Sequence, residues 1–175
     1  MNNALIFHGT DCTPDEYWYG WIAEKLRQKW YSVDVPHYPE LNHEDIGIFL
    51  PKVLSNHTFD SQTVLIGHSA GVPLILSILE HIDVKIARTV LVAGFFKWTD
   101  PILQDEYKWE RIKDNAGDIT IINSTDDPWG CDDRVGRALQ EKIGGELIIR
   151  NEWHFGSWNY NQPYPTFELL DEIIV

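Results

Sequence analysis

Short apolar runs rich in β-branched residues alternate along this chain with longer stretches whose apolar positions recur every three or four residues. Strands and amphipathic helices produce that rhythm when they take turns. Ala4-Leu5-Ile6-Phe7 reads as the first strand. Thr13-Pro14-Asp15-Glu16 then has the features of a capped helix start: Thr13 as N-cap, Pro14 in the first turn and Glu16 three residues after the cap. The spacing of Trp18, Trp21, Ile22 and Leu26 carries that helix to about Trp30 and assigns its tryptophans to core packing. A second strand is expected over Tyr31 to Val35 and a helix over Glu44 to Leu54. Thr63 to Ile66 gives the next strand. Val72 to Leu79 is apolar nearly all round, as in a helix buried on every side, with Pro73 tolerated in its first turn. Strands follow over Ala87 to Ala93, Ile119 to Asn123 and Leu147 to Ile149. Helices are expected near Tyr107 to Lys113, over Asp132 to Lys142 and over Phe167 to Ile174. The alternation predicts one α/β domain over residues 1–175, a mostly parallel sheet flanked by helices on both faces.

Composition narrows the classes of function. A hydrophobic content of 43% with 13% aromatics suffices for one core in 175 residues. No apolar run reaches the roughly 18 residues of a membrane helix, and Met1-Asn2-Asn3 lacks the charge and apolar stretch of a signal peptide. The expectation is a cytoplasmic protein. Cys12 and Cys131 have neither disulfide-framework nor metal-site spacing and read as free thiols in a reducing compartment. The net charge of −13 repels phosphate backbones and anionic lipids, so neither nucleic acid nor membrane is an expected partner.

The chemistry concentrates at Gly67-His68-Ser69-Ala70-Gly71, between an apolar β-branched run and a helical segment. A G-x-S-x-G match arises by chance in roughly 1 of 20 chains this long, but the strand before it and the helix after it make the context specific. Small residues two places either side allow a tight strand-to-helix turn that exposes the Ser69 hydroxyl as a nucleophile. The helix beginning near Ala70 aims unpaired N–H groups at the same point, where they can hold the charge that develops on an attacked carbonyl.

In a sheet of this kind ligands collect at the carboxyl ends of the strands, so the loops after the later strands are where partners of Ser69 belong. One loop reads Ser124-Thr125-Asp126-Asp127-Pro128-Trp129 and the other Asn151-Glu152-Trp153-His154-Phe155-Gly156. The order Ser, Asp, His fits a nucleophile turn served by later strands, and His154 is the only histidine downstream of both. Asp127 is favoured as the acid because Pro128 biases it toward an extended shape that projects its carboxylate. Asp126 is expected to brace the turn through backbone hydrogen bonds, and Asp132 or Asp133 to cap the next helix. Of the other histidines, His8 and His68 sit beside glycines in tight turns, where packing or hydrogen bonding explains them. His37, His43, His57 and His81 are assigned to solvent.

These residues resemble small one-domain α/β-hydrolases of the YdeN-like kind, which include the retinoblastoma-binding-protein-nine-like serine hydrolases. The matching pieces are the opening strand into His8-Gly9, the aromatic run Trp18 to Trp21, the segment Leu65 to Gly71, Ser124 to Pro128, and His154-Phe155. The resemblance implies a compact hydrolase fold without a large lid, with Ser69 as nucleophile, Asp127 as acid and His154 as base. It also implies an oxyanion hole from the backbone N–H groups of Ala70 and Thr10. Two departures stand out: Trp153 where the family usually has glycine before the histidine, and Cys131 where the acid loop often has proline. The expected activity is hydrolysis of a small carboxylic ester or amide through an acyl-enzyme, with no metal or organic cofactor. Trp129, Phe155, Phe95 and Phe96 are the candidate walls of an apolar acyl pocket. The competing reading is a protein-binding module on a hydrolase scaffold, its triad idle or slow.

Overall fold

In the computed structural model, which describes residues 2–97 and 100–174, six parallel strands form one sheet in the order β2-β1-β3-β4-β5-β6. The strands are β1 (Asn3–Phe7), β2 (Ser32–Asp34), β3 (Thr63–His68), β4 (Arg88–Val92), β5 (Asp118–Ser124) and β6 (Glu146–Arg150). Between and after them run α1 (Tyr19–Gln28), α2 (Ile46–Asn56), α3 (Gly71–His81), α4 (Trp109–Asn115), α5 (Asp133–Ile143) and α6 (Glu168–Ile173). Helix α1 packs on α6, while α2, α3 and α4 contact one another in turn and α5 closes against α4. This is a single-domain α/β-hydrolase fold with no large lid among the described residues.

The strand order sets the position of the site. The chain leaves β1 toward β2 on one side and returns to pair β3 on the other, so the connections diverge between β1 and β3. A crevice opens outside the carboxyl ends at such a reversal, and ligands bind there. The loop after β1 and the Ser69 turn after β3 both end in it.

Helix α3 lies beneath that crevice. Its residues from Gly71 to Glu80 are all buried, as an all-round apolar sequence requires. The first turn presses directly on the sheet: a Cβ on Gly71 would lie 2.4 Å from the Phe7 carbonyl oxygen, and one on Gly67 would lie 2.8 Å from the Gly71 backbone. Both glycines are required by backbone-on-backbone contact.

One boundary differs from its sequence pattern. The helix expected from Thr13 begins at Tyr19, because Tyr17 adopts left-handed backbone with φ 49° and breaks any helix running through it. Part of the capping-box pattern survives as a turn, with the Thr13 N–H donating to Glu16 Oε2 at 2.9 Å. By contrast, Asp132 caps α5 as expected, accepting from the N–H groups of Arg134 and Val135.

Gly71→Ala is expected to destabilise the protein by about 1–3 kcal/mol through overpacking. A urea-denaturation midpoint equal to that of the unsubstituted protein would contradict this account of the contact.

Candidate active site

Ser69 occupies the turn between β3 and α3 in left-handed backbone, φ 52°. For a residue with a Cβ this conformation costs roughly 1–2 kcal/mol, and hydrogen bonds hold it from both sides. The Ser69 N–H donates to the Val92 carbonyl of β4, and the Ser69 carbonyl accepts from the Val72 N–H, each at 2.9 Å. The loop after β1 passes close above, where a Cβ on Gly9 would meet the Ser69 Cβ at 3.3 Å. Among the described residues, the N–H groups of Ala70 and Thr10 have no acceptor within the chain.

Ser69 opens on a cavity of about 570 Å³ whose walls include Thr10, Tyr17, His68, Trp129 and His154. That volume lies within the roughly 300–1,000 Å³ of small-molecule sites. Of the non-glycine residues with positive φ, Asp11, Tyr17, Asn42 and Ser69 line it, and Trp153 and Phe155 flank His154. Strain of this kind persists only where neighbouring structure enforces it, and it collects at functional sites.

The loops after β5 and β6 bring Asp127 and His154 together, both buried. His154 Nδ1 lies 2.7 Å from Asp127 Oδ2, while the other carboxylate oxygen accepts from the Trp129 N–H at 2.8 Å. A carboxylate oxygen accepts, so Nδ1 carries the proton and Nε2 is left as the free nitrogen. Ser69 Oγ makes no hydrogen bond among the described residues; what it shares with His154 is the cavity wall. Asp126 points elsewhere, its Oδ1 accepting from Ser124 Oγ at 2.6 Å and from the Trp153 N–H at 3.0 Å. It ties the two loops to each other.

The His154 loop is held by residues without an obvious sequence signal. Gln162 Oε1 accepts from the N–H groups of His154 and Gly156, at 3.3 and 3.1 Å, while its amide donates to the Glu152 carbonyl at 2.8 Å. Three consecutive aromatics before and at the start of α1 grip the same region. Tyr17 Oη accepts from the Trp158 N–H at 3.1 Å, Trp18 Nε1 donates to the Phe155 carbonyl at 2.9 Å, and Tyr19 Oη lies 2.5 Å from His68 Nδ1. The tryptophan spacing identified Trp18 as core, which it is, but gave no sign of its polar contact with the loop.

The candidate pocket aromatics separate. Trp129 and Phe95 line the cavity. Phe155 does not: its positive φ of 55° turns the ring into the core, stacked on Phe167 with centroids 5.1 Å apart. Phe96 packs edge-on against Trp109, also outside the cavity wall. His8 is buried and bonded through both nitrogens, Nδ1 to the Gly9 carbonyl and Nε2 to the Tyr38 N–H. His57, assigned to solvent by the sequence, instead has a side chain only 8% exposed and bonds the Tyr38 hydroxyl.

Cys131 adds a donor that sequence spacing did not reveal. Its sulfur and one donor atom each of Asp127 and His154 all lie within 4.8 Å of one another, a set that could offer three ligands to a metal. Burial, and next the Asp127 carboxylate, push the Cys131 thiol well above its usual range, so it stays protonated rather than forming the thiolate a metal prefers. The other two donors are already engaged with each other.

Fold and site together define a hydrolase-type α/β protein. The model of the serine hydrolase family matches residues 4–170, and the chain belongs to that family. It is similar to the protein YdeN of Bacillus subtilis, at 28% identity over 133 residues, 71% of this chain and 70% of that one. It is also similar to the serine hydrolase RBBP9 of Rattus norvegicus, at 26% identity over 138 residues, covering 72% and 73% of the two chains. Among solved structures, that of the B. subtilis ydeN gene product superposes with a TM-score of 0.89 at 22% identity, covering 99% of this chain and 97% of that one.

Burial, and secondly the nearby His154, lower the pKa of His68 to about 3. The unfolded chain takes up a proton at His68 below about 6.5, whereas the folded protein does not until about pH 3. This contribution is therefore fully present above about pH 6.5 and is lost progressively as pH falls toward 3. Denaturation curves collected across that window are expected to show a shallower acid dependence for His68→Gln, and identical slopes would contradict the assignment.

Proposed function

We propose that the protein is a serine hydrolase that cleaves a small carboxylic ester or amide through an acyl-enzyme. The observation that carries this reading is the buried 2.7 Å contact between His154 Nδ1 and Asp127 Oδ2 on the wall of the cavity that holds Ser69. In this reading the Ser69 turn is a nucleophile elbow. Asp127 fixes the tautomer of His154 and stabilises its imidazolium, while the free Nε2 takes the proton of Ser69 as the hydroxyl attacks the carbonyl carbon. The unpaired N–H groups of Ala70 and Thr10 are the proposed oxyanion donors. His154 then passes the proton to the leaving alcohol or amine, and water repeats the sequence on the acyl-enzyme. The cavity is roomy enough for a small ester, and Trp129 and Phe95 give it an apolar wall. No step needs a metal or organic cofactor, and the proposed setting is the cytoplasm. No helix among the described residues is long and apolar enough to cross a membrane.

A second reading rests on a separate observation. Trp129, Trp153, Trp158 and Tyr160 are 40–58% exposed, and Tyr160 sits within ring-contact distance of both Trp129 and Trp153. An exposed aromatic cluster at the mouth of a cavity fits a protein-binding surface with an idle triad. The reactivity of Ser69 separates the two. A fluorophosphonate probe mapped by mass spectrometry is expected to label Ser69, and absence of labelling in folded protein would favour the binding module.

With an activated short-chain ester, Ser69→Ala is expected to abolish turnover. His154→Ala and Asp127→Asn are expected to lower kcat by about 10³–10⁴, while Asp126→Asn keeps most activity. Equal losses from the two aspartate changes would overturn the choice of acid.

A further inference from the structure

His68, the residue before the serine, takes no part in the mechanism above, yet it is fully buried and bonded at both ring nitrogens. Its Nε2 lies 2.8 Å from the backbone carbonyl oxygen of His154, and its Nδ1 lies 2.5 Å from Tyr19 Oη. Tyr19 Oη also accepts from the Gly9 N–H at 3.2 Å. The directions of these bonds are determined. A carbonyl can only accept, so Nε2 of His68 bears a proton; a neutral ring then has a lone pair on Nδ1, which takes the Tyr19 hydroxyl proton and leaves the phenol oxygen to accept from Gly9. A doubly protonated ring would put donors on two sides of the buried Tyr19 hydroxyl and leave its own proton only the weakly accepting Cys12 sulfur. Burial favours the neutral ring.

This line of hydrogen bonds joins three separate pieces of the proposed site. Gly9 begins the loop that carries Thr10, His68 is covalently next to Ser69, and the far end is the backbone of His154 itself. The His68 and His154 rings lie beside each other with centroids 5.1 Å apart. The residues flanking His154, Trp153 and Phe155, both have positive φ, so the loop's shape depends on outside anchors of this kind.

We propose that His68 is a positioning residue, whose imidazole, fixed as the Nε2–H tautomer by Tyr19, holds the main chain of His154 and so sets the base over Ser69. The inference rests on the hydrolase reading for its consequence but not for its geometry. A base misplaced by about 1 Å can cost about a hundredfold in rate with little effect on binding. The expected signature is therefore a loss in kcat.

Two measurements test it. In the unsubstituted protein, ¹⁵N NMR of labelled histidines, assigned with His68→Gln, is expected to find His68 protonated at Nε2 and bare at Nδ1 from pH 5 to 8. The opposite tautomer, or titration in that range, would overturn the proposal. In ester hydrolysis, His68→Leu and Tyr19→Phe are expected to lower kcat by about ten- to a hundredfold with KM within about twofold. His68→Gln, whose amide can still donate to the His154 carbonyl, is expected to recover part of the loss relative to His68→Leu. The combined His68→Leu/Tyr19→Phe variant is expected to lose less than the product of the single effects, because both act through one line of bonds. Val53→Ala, at a buried position of α2 outside the cavity wall, supplies a comparison of lowered stability. If it reduces kcat as much at equal stability, or if the His68 and Tyr19 variants keep full kcat, the positioning role is wrong. Should His68→Leu not fold, His68→Gln, Tyr19→Phe and the tautomer still decide. Should Ser69 of the unsubstituted protein prove unreactive toward the fluorophosphonate, the hydrolase reading and with it the positioning role fail, while the tautomer measurement reports separately on the hydrogen bonds.

Discussion

The closeness of α3 to the ends of β1 and β3 is the constraint from which the rest of the site follows. With no side chain at Gly67 or Gly71, the first turn of α3 rests on the Phe7 and His8 backbone. The only path left for the chain between strand and helix is a bend tight enough to force Ser69 into left-handed backbone. That bend lies at the reversal of strand order, so the crevice and the serine share one position for the same topological reason. Gly9 completes the arrangement by letting the β1 loop approach the serine.

The other half of the site depends on anchoring. Asp127 leaves β5, an interior strand, and is held by the Trp129 N–H. His154 sits in a loop after β6 that has little regular structure of its own. Its position comes from side-chain anchors: Gln162 from a few residues on, Asp126 from the neighbouring loop, and Tyr17, Trp18 and His68 from across the fold. Gly156, with φ 126°, lets the chain pass against the Tyr17 ring, which a Cβ would meet at 2.6 Å. Aromatic residues that look like plain core in the sequence thus spend their polar atoms on the loop that carries His154.

Much of this was legible in the sequence because period and punctuation are local. The strand runs, the all-apolar α3 and the Asp132 cap all reflect short-range chemistry, and the elements fall close to where the pattern puts them. Asp126 and Asp127 bond differently, Asp127 to His154 and Asp126 to the Trp153 N–H, in keeping with the bias that Pro128 imposes on its neighbour. What escaped was set by tertiary contact. The helix start at Thr13 gave way to a positive φ at Tyr17, which no local rule requires. Phe155 follows His154 in sequence but turns inward onto Phe167, since one left-handed residue reverses the side a ring faces. Gln162 and His57 carry no motif, and only the folded chain reveals their bonds.

Strand β6 is one of the two edge strands of the sheet, paired on one side only, and its side chains are at least partly open to solvent. Edge elements open locally at lower free energy than the interior. A transient opening of β6 would loosen the start of the His154 loop while β1, β3 and α3 kept Ser69 in its strained turn. The two halves of the cavity therefore differ in how firmly the sheet holds them, one set between interior strands and the other hung from an edge.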